Sequence, residues 1–190
     1  MQKRKDKVVI LGLGNLLLGD EGVGIHIIKK IKTLKLPTYV EVIDGDTAGF
    51  NLISIFKTHR NDKFIIVDAI GVPATIDVIK NSYDEADNIS FSKFNKKGDI
   101  YVIPLEKLYK LCCTNYDNPE FVSFHQIGLF DVISLLLKTL KIKIKGYLIG
   151  INICEQNTDS EIINLKYSMR LSKAIKQKIP NIVDLILKYI

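Results

Sequence analysis

Tryptophan is absent from this 190-residue chain, and cysteine is scarce. The three cysteines are Cys112, Cys113 and Cys154. An odd number, two of them adjacent, with no C-x-x-C, excludes both a disulfide framework and a zinc ribbon. Reduced, partly buried thiols in a cytoplasmic protein are the expectation. Long apolar runs are missing as well: no stretch reaches 18 residues, so no membrane-spanning helix is expected. The basic start and the apolar Val8–Leu18 imitate an export signal. Gly12, Gly14 and Asn15 interrupt that run, Asp20-Glu21 follow, and no A-x-A pattern appears. Acidic excess is lacking too, since Lys plus Arg is 27 against 21 for Asp plus Glu. Most of the positive charge is scattered lysine; the dense cluster is Lys3-Arg4-Lys5 with Lys7. Without an aromatic-interleaved basic motif, no nucleic-acid partner is expected. No internal repeat and no linker is visible, so one domain over residues 1–190 is expected.

What is present is ample apolar material, 47% of the chain, in segments that alternate in period. Val8-Val-Ile-Leu11, ending in Gly12-x-Gly14, reads as a buried parallel strand and a tight loop. Residues 20–34 carry Val23, Ile27, Ile28, Ile31 and Leu34 at helical spacing. Residues 40–43 read as a second strand, followed by a helix over 49–56 that Thr47 is placed to cap. Residues 64–67 form a third strand ending in Asp68. A strand is conceivable at 74–79, but 81–97 is polar and irregular and reads as an excursion. Further on, the pattern predicts a strand over 99–103, a short helix over 105–111 and a strong helix over 123–140. A central strand over 144–153 and a long amphipathic helix over 166–190, bent near Pro180, complete it. Strands alternating with helices predict an α/β fold: a three-layer αβα domain with a mostly parallel, twisted sheet covered on both faces.

Chemistry in open α/β sheets sits outside the carboxyl ends of the strands. The side chains predicted there are Asn15, Asp20 and Glu21, then Asp44, Asp46 and Thr47, then Asp68. Of the three histidines, His26 lies within the first helix and His59 in a polar turn, where it is expected to be solvated. His125 opens a helix on an otherwise apolar segment, so it is either hydrogen-bonded core or a ligand. Asp68 ends an apolar strand, where burial without a partner is costly. Glu21 begins a helix, where the dipole favours a carboxylate whether or not it has a ligand. Two carboxylates and one imidazole converging on one sheet edge would make an O,O,N site with open coordination positions. Sequence spacing permits that convergence without requiring it.

Gly12, Gly14 and Gly19 fall as G-x-G-x-x-x-x-G, not as the G-x-G-x-x-G of a dinucleotide fingerprint. Asp44 could imitate the ribose-binding acid, but lies 30 residues after Gly14. No organic cofactor is expected.

Four segments together carry a resemblance: Leu11-Gly-Leu-Gly-Asn-Leu-Leu-Leu-Gly-Asp-Glu-Gly-Val-Gly24, Asp44-Gly-Asp-Thr-Ala-Gly49, Ile66-Val-Asp-Ala69 and His125-Gln-Ile-Gly-Leu-Phe-Asp131. In this order they resemble the hydrogenase maturation endopeptidase family, which trims the C-terminal tail from the large subunit of nickel–iron hydrogenases. The resemblance spans the chain except residues 71–97 and the C-terminal helix, where the match is to general pattern.

The resemblance implies that Glu21, Asp68 and His125 are the metal-binding residues and that they grip nickel carried by the substrate. Cleavage then waits for nickel insertion. The implied partner is a nickel–iron hydrogenase large-subunit precursor, met by a cytoplasmic monomer. No Ser/Cys–His pair is evident, so a metal-polarised water is the simplest nucleophile. Asp44 is the candidate for orienting it or for supporting the ligands. Asn15, Asp20, Asp46 and Thr47 are candidates for substrate contact. The chain departs from the family pattern in carrying Asp46 where D-G-G-T has its second glycine, in a longer 71–97 segment, and in lacking a proline after Gly150. Two other readings stay open. One is a peptidyl-tRNA hydrolase-like enzyme, whose first strand also ends in G-L-G-N. The other is a maturation factor that binds the large subunit without cutting it.

Overall fold

A computed structural model describes residues 7–47, 49–70, 96–114, 128–154 and 167–190, with side chains of 110–114 excepted. His125, and the sequence-predicted structure at 74–79 and 123–127, lie outside them.

Five strands form one sheet among these residues: β1 (Val8–Gly12), β2 (Val40–Asp44), β3 (Lys63–Ile70), β4 (Ile100–Pro104) and β5 (Lys145–Asn152). Their order is β2-β1-β3-β5-β4. The first four in that order run parallel, and β4 joins the edge antiparallel to β5. The mostly parallel sheet is thus as the alternating pattern predicts. β1 is buried at every position, which is why it reads as an unbroken apolar run.

The period of two along each strand sends side chains to two separate cores. Val9, Leu11, Phe64 and Ile66 pack with helices α2 (Asn51–Thr58), α3 (Leu105–Thr114) and α4 (Leu129–Lys138). Val8, Ile10, Ile65 and Val67 pack with α1 (Val23–Ile31) and α5 (Lys173–Lys188). Helices therefore cover both faces, giving the three αβα layers. Within the first core Phe56 meets Phe64 edge to face, with ring centroids 5.0 Å apart. Burying a side chain of that kind contributes roughly 2–3 kcal/mol.

Four local expectations are corrected. The first helix is preceded by a 3₁₀ turn, Gly19–Gly22, and becomes α-helical at Val23. Thr47 does not cap α2; Phe50 is at the N-cap, with no side-chain bond, and Leu52 and Ile53 donate to backbone carbonyls of Gly49 and Phe50. The last helix starts at Lys173 and not near 166, because Ser168 is paired in extended form with Leu18. Ser172 then caps it, accepting from the Ile175 N–H. The helix runs on through Pro180. His59 is not solvated: its Nδ1 lies 2.9 Å from the Asp62 carboxylate and its ring meets Phe64 edge to face.

Candidate metal-recognition site

The connection after β1 goes out to β2, whereas β3 lies on the other side of β1. The crevice between β1 and β3 is therefore the topological switch point, where open α/β sheets bind ligands beyond the strand ends. Glu21 and Asp68 come from the two segments that leave this crevice. Asp68 sits one residue past the Gly12–Val67 pair and opposite Gly150 of β5. Glu21 sits on the 3₁₀ turn that follows β1.

Glycines bring that turn close. Leu13 donates its N–H to the Val67 carbonyl at 2.8 Å, extending the pairing of β1 and β3 past the strand. Gly14 has a φ of +140°, and a Cβ there would fall 2.0 Å from the Glu21 carbonyl oxygen. Gly24 touches both strands in the same way: its Cβ would lie 2.2 Å from the Leu13 oxygen and 2.4 Å from the Val67 oxygen. The glycine spacing of the first motif thus serves close backbone approach, not a phosphate cradle.

The site is electrostatically unfinished. Glu21 is 1% exposed, and neither carboxylate oxygen has a hydrogen-bond partner among the described residues. Burial pushes its carboxyl up to about 7. Asp68 keeps part of its surface open, and its Oδ1 accepts the Ala69 N–H at 2.8 Å. Burial raises the Asp68 carboxyl to about 7, the Ala69 bond opposes this, and the Glu21 charge adds to the rise. Among the described residues no cation pairs with either acid. A buried, unpartnered carboxylate costs several kcal/mol unless something positive joins it. Two such oxygen donors suit a metal cation, with carboxylate being a ligand that many divalent ions accept.

The other sequence-predicted residues divide. Asp20 is next to Glu21, but both of its oxygens have protein partners: Oδ1 accepts the Ser172 N–H at 2.7 Å, and Oδ2 pairs with Lys97 at 2.9 Å. Asn15 is half-buried, and its Oδ1 accepts the Leu17 N–H, shaping the loop. Asp44 ends β2, on the far side of β1 from Asp68; it is exposed and accepts the Asp46 N–H at 3.0 Å. Asp46 and Thr47 are exposed as well. Asp46 has a φ of +52°, a left-handed conformation that explains why a glycine suits this position and why Asp is tolerated there. The closing part of the His125 motif opens α4: Asp131 accepts the Gly128 N–H at 2.9 Å. The sequence reading overlooked Lys97 and Ser172. They sit 77 and 152 positions from Asp20, and no local pattern marks either.

A family model described as hydrogenase maturation protease matches residues 25–112. That span holds Asp68, while Glu21 and His125 lie outside it. The hydrogenase 2 maturation protease of Escherichia coli (strain K12) is 33% identical over 146 residues, covering 76% of this chain and 72% of that protein. A putative hydrogenase maturation protease of Methanocaldococcus jannaschii is 37% identical over 111 residues, covering 57% of this chain and 68% of that one. Among solved structures, the hydrogenase maturating endopeptidase HybD from E. coli superposes with a TM-score of 0.64 at 29% identity, covering 96% of this chain and 90% of that one. An αβα fold with two acids at its switch point that no cation among the described residues pairs, joined to these similarities, leaves the tRNA hydrolase reading without support. The chain belongs to the hydrogenase maturation protease family and is an endopeptidase of that family.

Proposed function

We propose that this protease removes the C-terminal extension of a nickel–iron hydrogenase large-subunit precursor after nickel has been inserted. The observation that carries the reading is the pair Glu21 and Asp68, two acids raised together to about 7 at the switch point with no cation beside them among the described residues. Nickel is part of the substrate in this reading. Precursor lacking it would bring no charge to offset the two acids, so binding would be weak. Precursor carrying it would convert a destabilised pair into a favourable one. The discrimination is a difference in binding free energy, built on groups left unpaired in the wrong complex.

Each residue of the chain has a definite task here. Glu21, rigidly presented by the 3₁₀ turn, supplies an oxygen donor. Asp68 supplies a second, oriented by the Ala69 N–H. His125 supplies the third, nitrogen, donor, as the family motif implies. The ion, once held, polarises a water or the scissile carbonyl next to it. Asp44 and Asp46 stand at the rim of the β2 end, where they meet the polypeptide and not the ion. The chain works in the cytoplasm as a monomer, without an organic cofactor and without contact to nucleic acid or membrane. No helix among the described residues is long and apolar enough to cross a membrane.

The test is the intact mass of nickel-loaded and nickel-free precursor before and after incubation with the protein. Loss of a short C-terminal peptide is expected with nickel alone. Glu21→Gln, Asp68→Asn and His125→Ala should each slow it on the order of a hundredfold or more. Cleavage of nickel-free precursor at the same rate would overturn the metal-recognition reading, and a stable complex of unchanged mass would mark a binding factor instead of a protease.

A further inference from the structure

Two distant pieces of chain, residues 168–172 and Lys97, converge on the turn that carries Glu21. Gly19, with φ at +61°, donates its N–H to the Ser168 carbonyl at 2.6 Å. Ser168 returns a bond to the Leu17 carbonyl at 2.9 Å. Asp20 then fastens the far side through Ser172 and Lys97. Lys97 is itself on a braced turn: Gly98 donates to the Asn152 carbonyl at 2.7 Å, and Lys96 donates to the Asp99 carboxylate at 2.7 Å.

The Asp20–Ser172 bond completes a cap from a distance. Ser172 accepts from Ile175 three residues on, as an N-cap serine does. In a capping box, a Glu or Gln at that third position returns a bond to the cap's own N–H. Here that position is Ile175, and Asp20 provides the acceptor instead. The same carboxylate holds Lys97, with both partners largely shielded from water at 12% and 21% side-chain exposure. Such a charge-assisted, shielded arrangement is stiffer than a surface pair. It is also far more than a helix start needs, and it is anchored one residue from the acid that has no hydrogen-bond partner among the described residues.

We propose that Asp20 is a positioning residue: clamped by Ser172 and Lys97, it holds the 3₁₀ turn so that the neighbouring Glu21 carboxylate is presented to the metal. The inference rests on the reading of Glu21 as a metal ligand. Asp20 touches neither ion nor polypeptide. Lys97 and the start of α5 act through it, so the turn after β1 is set by residues from the end of the chain. Partners one step behind a metal ligand set affinity by fixing its orientation, typically by about 10–100-fold.

The experiment is titration of the full-length protein with Ni²⁺ alone, followed calorimetrically, alongside kcat and KM for nickel-loaded precursor. The variants are Asp20→Ala, Asp20→Asn, Lys97→Met and the double Asp20→Ala/Lys97→Met, with Glu21→Gln as reference. Asp20→Ala should weaken Ni²⁺ binding about tenfold and raise KM more than it lowers kcat. Asp20→Asn keeps an acceptor for Ser172 and should recover part of the loss. Lys97→Met should weaken binding in the same direction, and the double variant should be no weaker than Asp20→Ala, since both act through one clamp. Thermal unfolding of each variant separates a folding defect from misplacement of Glu21. Ni²⁺ affinity within twofold of wild type in a folded Asp20→Ala, or additive losses in the double variant, would overturn the inference. If Glu21→Gln binds Ni²⁺ as wild type does, the ligand reading itself fails, which is a separate result.

Discussion

The charge of Glu21 adds to the rise that burial imposes on the Asp68 carboxyl, against the opposing Ala69 N–H bond, so the acids at the ends of two neighbouring segments share one field. Proteins ordinarily neutralise such a pair with a lysine or arginine. Here Lys97 pairs with the adjoining Asp20 instead. Among the described residues the field is left open, and its consequences are measurable.

The first concerns stability without substrate. A carboxyl raised in the folded state keeps its proton while the unfolded chain has released it. Across the window from 4.5 to about 7 for Glu21, the folded state therefore binds more protons, and stability falls as pH rises. Above that window the loss is complete. For this buried group the shift corresponds to roughly 3 kcal/mol at most. Glu21→Gln, which cannot ionise, should flatten this fall and be the more stable protein at pH 8 by about 1–3 kcal/mol. Urea denaturation at pH 5 and pH 8 checks it; an unchanged pH slope in the variant would show that Glu21 is not the group responsible.

Metal affinity should run the opposite way with pH. Carboxylates bind metal in their ionised form, so protons compete. With both acids near 7, lowering pH from 8 to 6 should weaken Ni²⁺ binding by about tenfold or more. The Asp68→Asn variant should lose most of the affinity and the part of its pH dependence that Asp68 supplies, leaving that of Glu21. Calorimetry in two buffers of different ionisation enthalpy would count the protons released, and a count near zero would contradict the raised values.

Packing around the first motif gives a third expectation. Gly24→Ala puts a methyl against two backbone oxygens, those of Leu13 and Val67, which cannot rotate away. Helix α1 must shift off β1 and β3, taking the Glu21 turn with it. A loss of about 1–3 kcal/mol is expected, with impaired metal binding in whatever remains folded. Gly49→Ala is the control: its φ is +89°, but nothing lies within 4 Å of the added Cβ. It should cost about 1 kcal/mol of backbone strain and leave metal binding intact. Comparable damage from both substitutions would mean that conformation, not close approach, explains Gly24.

How much of this was legible in the chain depended on the range of the interaction. β1 and β3 were readable because strands buried on both faces become unbroken apolar runs. The layers followed from the alternation of strand and helix. The edge position of β4 and its antiparallel sense were not, since neither leaves a mark in local pattern. Tyr167–Leu171 falls within the expected helix yet is not helical, because Ser168 pairs with Leu17 and Gly19 from the other end of the chain. Glu21 and Asp68 could be named as candidates from their places at strand ends, but either had an ordinary structural reading. What separates them from that reading is the absence, among the described residues, of a cation beside either acid and of any hydrogen-bond partner for Glu21, a property of the assembled fold. Asp20 shows the converse: its sequence position equally suggests a substrate contact, and the fold occupies both its oxygens.

The last prediction concerns Asp46, where this chain departs from the family's glycine. Its φ of +52° costs an ordinary side chain about 1 kcal/mol, and its N–H is held by Asp44 while its carbonyl accepts the Gly14 N–H at 3.0 Å. Those backbone bonds fix the conformation whatever the side chain. Asp46→Ala should therefore lose about 1 kcal/mol, whereas Asp46→Gly should be nearly neutral, because relief of strain is offset by a more flexible unfolded chain. The two variants lose the same charge, so comparing them separates shape from electrostatics. Should both raise KM for nickel-loaded precursor equally, with the change shrinking at high salt, the exposed Asp46 carboxylate contacts a positively charged part of the polypeptide. Should KM follow stability instead, Asp46 serves the turn alone, and the substitution of the family's glycine leaves substrate choice untouched.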